Sequence, residues 1–230
     1  MNTIRQSDIE HFQPKPIDGQ IFHVMQVMAK AEVKHREEHH DEYNFGYLPW
    51  KDTHTTFEFR PSELTIWAAE SGIGKSLIQG FCMMHLALHK KKCVIGSFEM
   101  PVEDTFERQC AAYNGKNFTT SPDDKVDFAK RVDDHIYYYD FLGYITPHQV
   151  YQFISYSAEE LECKHICIDS LMMISLVGQN RYEQQKDFVA ELKALSKAYE
   201  CHIHLVAHHR KPDGEKIHSR AKYSISGARS

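Results

Sequence analysis

Residues 69–76, "AESGIGKS", fit the pattern Ala/Gly-x4-Gly-Lys-Ser/Thr, an arrangement that wraps backbone N–H groups around phosphate. Gly72 and Gly74 keep two positions free of side chains. The N–H groups of Ser71, Gly72, Ile73, Gly74, Lys75, Ser76 and Leu77 are then placed to cradle nucleotide phosphates at a helix N-terminus. Lys75 would reach the β- and γ-phosphates, and the Ser76 hydroxyl would ligate magnesium. Ala69 stands where the pattern usually has glycine, at the end of an expected strand where a small residue suffices.

Three further groups complete a hydrolytic set. Asp169 ends the apolar run "HICID" and can enter the magnesium shell. Glu99 ends "VIGSFE", the strand expected after the loop helix, and can polarise an attacking water as general base. His208 ends "HIHLVAH" and can donate a hydrogen bond toward a γ-phosphate. Beyond it Arg210, Lys211, Lys216, Arg220, Lys222 and Arg229 face only two acids, Asp213 and Glu215. That local basic excess suits contacts to a phosphodiester backbone, and suits a solvated surface loop nearly as well.

The elements that must carry these groups alternate. Strands are expected at "ELTIWAA", "KCVIGSF", "HIYYYDFL", "KHICID" and "CHIHLVA". Helices are expected at "KSLIQGFCMMHLALHKK", after Pro101, after Ser121-Pro122, after Thr146-Pro147 and at "RYEQQKDFVAELKALSKAYE". Strands separated by helices imply an α/β fold with a mostly parallel sheet covered on both faces. Residues 1–50 read as an arm and linker, and 51–230 as the main domain. Within the arm, 1–19 read as a flexible lead, and Ile21, Val24, Met25 and Met28 give one amphipathic helix.

Composition narrows the function classes. The net charge of -5 carries no global signal for nucleic acid or membrane. No apolar run approaches membrane-spanning length and no signal-peptide start is present, so a cytoplasmic location is expected. The six cysteines form no CxxC pair and read as small hydrophobes. Cys163 and Cys167 flank His165, but no second ligand pair follows to make a zinc site. His35 and His39 would share a helix face within a run that reads as a solvated charged helix end.

Taken in order, these motifs resemble the DnaB-like, RecA-fold replicative helicases, nearest the branch with Twinkle and the phage primase–helicases. "FRPSELTIWAAESGIGKSLIQG" is similar to that family's strand-loop-helix, "GSFEMP" to its catalytic-glutamate motif and "HICIDSLMMI" to its metal-binding strand. "HIHLVAHHRKP" resembles its sensor-histidine strand and "SISGARS" the start of its DNA-binding loop. The resemblance runs from about Leu48 to the C-terminus. It implies a RecA-like P-loop NTPase core using ATP or another NTP with Mg2+. Glu99 would be the base, Lys75 and Ser76 the phosphate and magnesium ligands, Asp169 part of the metal shell and His208 the γ-phosphate sensor.

The resemblance further implies single-stranded DNA held by Arg210, Lys211 and the basic residues to Arg229, and self-association as a ring, a hexamer in such helicases. Other replication proteins are conceivable partners, and the compartment is the bacterial host cytoplasm if the gene is phage-borne. The helix near residues 21–31 looks like the element that packs on a neighbouring subunit. No primase activity is implied by so short an arm. The family's arginine finger follows its "SGA" motif and would fall beyond Ser230, so the sequence reads as C-terminally incomplete and weak in hydrolysis on its own. Two other outputs share the same site: a recombinase- or clock-type ATPase, and a nucleotide-binding loader or adaptor of a helicase.

Overall fold

The chain runs β1 (Asn2–Arg5), β2 (Glu63–Ala69), α1 (Lys75–Leu88), β3 (Cys93–Ser97), α2 (Val102–Tyr113), α3 (Pro122–Val132) and β4 (Ile136–Asp140). It continues through α4 (Pro147–Glu159), β5 (His165–Asp169), α5 (Arg181–Ala198) and β6 (His202–His208). This computed structural model describes residues 2–5, 24, 28, 45–116, 119–176 and 180–208.

The strands form one six-stranded sheet in the order β1-β4-β3-β5-β6-β2, with every pairing parallel. Strands β3 and β5 are buried along their whole length, as near-continuous apolar runs in a two-faced sheet must be. One core packs Met83 and Leu86 of α1, Cys110 of α2 and Phe128 of α3 against Ile95 and Cys167. The other packs Val150 and Phe153 of α4 and Leu192 and Leu195 of α5 against Val94, Ile166, Ile168 and Leu205. The α/β architecture expected from the alternating pattern is the one observed.

Local chemistry sets the helix ends. Ser121 and Thr146 cap α3 and α4, each accepting from the backbone N–H three residues on, with Asp124 and Gln149 reaching back to the cap. Helix α1 stops at Leu88, short of the lysines that the pattern included. There Lys90 takes φ +63°, and Lys91 N–H bonds to the Leu86 carbonyl, closing the helix with a left-handed C-terminal turn.

The arm differs from expectation at its start. Within the lead read as flexible, Asn2–Arg5 pairs with β4, Asn2 opposite Tyr137 and Arg5 opposite Asp140. Of the helix expected from Ile21, Val24 and Met28 are helical and exposed, and its other residues lie outside the described set. The arm re-enters the domain at Phe45 and Gly46, where a Cβ on Gly46 would fall 2.2 Å from Leu86 Cδ2. Gly46 also has φ +143°, so glycine is needed on both counts.

That segment is held by a hydrogen-bonded histidine network in the core. His165, His202 and His204 are buried, and their partners dictate their tautomers. The Trp67 indole N–H can only donate, so His204 Nδ1 accepts it at 3.3 Å. His204 Nε2–H then donates to His165 Nδ1 at 3.2 Å, and His165 Nε2–H donates to the Phe45 carbonyl at 2.7 Å. His202 Nδ1–H donates to the Arg60 carbonyl at 2.7 Å and its Nε2 accepts from the Thr65 hydroxyl at 2.8 Å. Every ring nitrogen is used, and every ring is neutral. His165 therefore has no lone pair for a metal shared with Cys163 and Cys167. All six cysteines are free and buried, with the thiols of Cys82 and Cys201 pushed up to about 12 by burial.

Burial lowers His165 to about 3 and His202 to about 4, and drives His204 well below its usual value. Unfolded histidines titrate near 6.5, so the unfolded chain takes up these protons first. The stabilisation is complete above pH ~6.5 and falls as pH drops toward the folded values, by about 1 kcal/mol per histidine per pH unit. Asp169, whose carboxyl burial raises, opposes the trend, while His85, lowered to about 4 chiefly by burial, adds to it. The expected result is a melting temperature that declines from pH 6.5 to 5, where ordinary carboxylates are silent. A flat profile there would contradict the neutral network.

Candidate nucleotide-binding site

The loop leading into α1 is shaped by its two glycines. Gly72 and Gly74 hold φ +83° and +91°, and a Cβ at either would meet nothing within 4 Å. Backbone conformation, not crowding, therefore requires glycine here, and the loop presents open space to a ligand. Helix α1 begins with no capping side chain and no acid in its first turn. The other described helices each carry a side-chain cap or first-turn acids. Its uncommitted N–H groups and the positive end of its dipole suit an anion. Lys75 lies folded into the loop, its Nζ donating to the carbonyls of Ala69 at 2.9 Å and Glu70 at 2.7 Å.

The rest of the site comes from neighbouring strand ends. From β3 the chain moves outward to β4, and from β5 it moves the other way to β6, leaving a crevice between β3 and β5. Ser97 stands opposite Asp169 across that crevice, and Ala69 stands opposite His208 on β2 and β6. Phe98 N–H bonds to the Asp169 carbonyl at 2.7 Å, and Gly143 N–H to the Phe98 carbonyl at 2.9 Å, fixing the turn that carries Glu99. The Ser170 hydroxyl donates to Glu99 Oε1, and His208 Nε2 lies 3.4 Å from that same oxygen.

Asp169 is buried, and burial raises its carboxyl; a hydrogen bond from Ser76 opposes the shift and the nearby Glu99 charge adds to it. His208 and Lys75 also act on Asp169, each favouring its charged form. Asp169 Oδ1 and His208 Nδ1 are buried without a hydrogen-bond partner. Lys75, Ser76, Glu99, Asp169 and His208 thus converge on one crevice. An orphaned carboxylate oxygen, a second acid and a hydroxyl form an all-oxygen donor set that fits a hard divalent cation such as Mg2+. Among the described residues no group of three or more His, Cys, Asp or Glu makes an all-protein metal cage.

Sequence reasoning does not single out Ser170, although it directly follows Asp169 at the strand end. The peptide between the two is cis. Arg210, Lys211, Lys216, Arg220, Lys222 and Arg229 lie outside the described residues.

A glycine-shaped loop at a helix N-terminus, with Asp169 at the end of β5 and Glu99 on the turn after β3 in a parallel sheet, is the arrangement of a P-loop α/β fold. The AAA domain family profile matches residues 58–214, more than half of the chain, and the chain belongs to that family. Two solved structures are similar to it. One, described as a DnaB-like replicative helicase and its interactions with primase, aligns with TM-score 0.64 and 14% identity over 84% of this chain. The other, described as an ATPase domain, aligns with TM-score 0.66 and 12% identity over 84% of this chain and 73% of its own. The chain spans 49% of the length of the DnaB-like helicase it matches. Comparison with curated protein sequences finds no match. No helix among the described residues is long and apolar enough to cross a membrane.

Proposed function

We propose that this domain is the ATP-hydrolysing motor of a DnaB-like DNA helicase. The observation that carries the reading is the placement of Glu99, on the turn two residues beyond β3, and Asp169, at the end of neighbouring β5, beside Lys75 and Ser76. A pure nucleotide binder has no use for a partly exposed second acid beside the metal carboxylate, and that weighs against the adaptor reading.

In this mechanism the N–H groups from Ser71 to Leu77 bind the phosphates, and Lys75 moves from the Ala69 and Glu70 carbonyls onto the β- and γ-phosphates. Ser76 and Asp169 would hold Mg2+, which would supply charge neutralisation on the phosphates. Glu99, oriented by Ser170, accepts the proton of the attacking water. His208, already beside Glu99, senses the γ-phosphate through its Nε2 edge. The basic residues from Arg210 to Arg229 follow His208 directly in sequence and would contact single-stranded DNA in a ring of subunits, so that the sensor and the DNA-binding segment share one stretch of chain.

The test is ATP hydrolysis by the full-length protein with and without single-stranded DNA, alongside displacement of a labelled strand from a forked duplex. The reading expects DNA-stimulated hydrolysis and strand displacement that requires ATP. Hydrolysis with ordered assemblies but no displacement would identify a recombinase- or clock-type ATPase instead. Nucleotide binding without hydrolysis would leave an adaptor.

A further inference from the structure

Ser97 is the last residue of β3 and pairs directly with Asp169 on β5. Paired residues of parallel strands share a face and sit about 4.8 Å apart. That face belongs to α1: Cys93 and Ile95, which alternate with Ser97, and Cys167, which alternates with Asp169, all pack against Met83 and Leu86. Ser97 is 4% exposed, yet its hydroxyl has no hydrogen-bond partner, and neither does its neighbour Asp169 Oδ1. Gln79 is a third such group. It lies one turn beyond Ser76 on α1, 2% exposed, with its Nε2 unpartnered.

Buried polar atoms are nearly always paired. With His208 Nδ1 these make four orphans; Ser97 adjoins Asp169 by register and Gln79 follows Ser76 by one turn, and a shared ligand shell explains them together. Ser155 supplies the contrast: it is equally buried and unpartnered, but lies on α4, across the sheet.

We propose that Ser97 is a positioning residue of the nucleotide site, its hydroxyl acting with the Gln79 amide to orient Asp169 and the hydration shell of the cation. This rests on the nucleotide-site reading given above. Neither side chain touches the nucleotide itself. Both act through Asp169, so their removal should weaken metal-assisted binding and leave metal-free binding alone.

The test is a Mg2+ titration of fluorescent ADP binding to wild type, Ser97→Ala, Ser97→Thr and Ser155→Ala. Ser97→Ala should raise the Mg2+ concentration for half-maximal binding about tenfold, the usual cost of losing a group behind a metal ligand. Its ADP affinity in EDTA and its melting temperature should match wild type, and Ser97→Thr should restore the Mg2+ response. An unchanged midpoint in Ser97→Ala, or an equal shift in Ser155→Ala, overturns the proposal and leaves the nucleotide site standing. Wild-type protein that binds no ADP at any Mg2+ concentration overturns both.

Discussion

Replacing Glu99 with Gln should lower ATP turnover by about a hundredfold to ten-thousandfold, the range that a positioned general base contributes, without loss of nucleotide binding. The substitution is nearly isosteric, and a Gln Oε1 can still accept the Ser170 hydroxyl that now bonds to the carboxylate. What disappears is the basicity needed to take a proton from water. Burial chiefly raises the Asp169 carboxyl, and the Glu99 charge that adds to that shift also disappears. Asp169 is then more readily ionised, so Mg2+-dependent nucleotide affinity should stay level or tighten. Single-turnover hydrolysis and equilibrium nucleotide binding, measured on the same preparation, separate the two effects. Turnover within about twofold of wild type would exclude Glu99 as the base.

Lys75→Ala should act on the other parameter. Lys75 is buried, its ammonium donating to the Ala69 and Glu70 carbonyls, so the loop holds it before any nucleotide arrives. Removing one charged hydrogen-bond donor, worth ~1.5–3 kcal/mol, should weaken nucleotide binding by about tenfold to a hundredfold. Hydrolysis should fall to background even at saturating ATP, because the same cation stabilises charge on the departing phosphates. Lys75→Arg should not rescue it. A planar guanidinium cannot reproduce a point charge folded between two adjacent carbonyls. Full affinity in Lys75→Ala would remove the phosphate contact from the mechanism.

Much of the fold is readable because its signals are local. The start of α3 follows from Ser121, Pro122 and Asp124, and that of α4 from Thr146, Pro147 and Gln149, all within four positions. The buried strands "CVIGS" and "HICID" announce themselves by composition, and their C-terminal ends place Glu99 and Asp169 at one edge. What escapes depends on partners distant in sequence. β1 is four residues, "NTIR", with no apolar run, and it exists only through pairing with β4 more than a hundred positions away. The hydrogen bond between Trp67 and His204 spans 137 positions, and that between Phe45 and His165 spans 120. Nothing in the neighbourhood of these histidines distinguishes core imidazoles from ligands. Ser97 is similar: in sequence it is a small residue before Phe98, and its interest arises only once β5 sets Asp169 beside it.

The indole of Trp67 also gives the molecule an optical handle. The chain has only two tryptophans. Trp50 is half exposed and so reports mainly on solvent. Trp67 donates to His204 at 3.3 Å and sits two residues ahead of Ala69, whose carbonyl receives the Lys75 ammonium. One chromophore is thus bonded to the neutral imidazoles and stands two residues from the strand end that receives Lys75. Its emission is expected to change as these imidazoles take up protons, which an acid titration of tryptophan fluorescence would check.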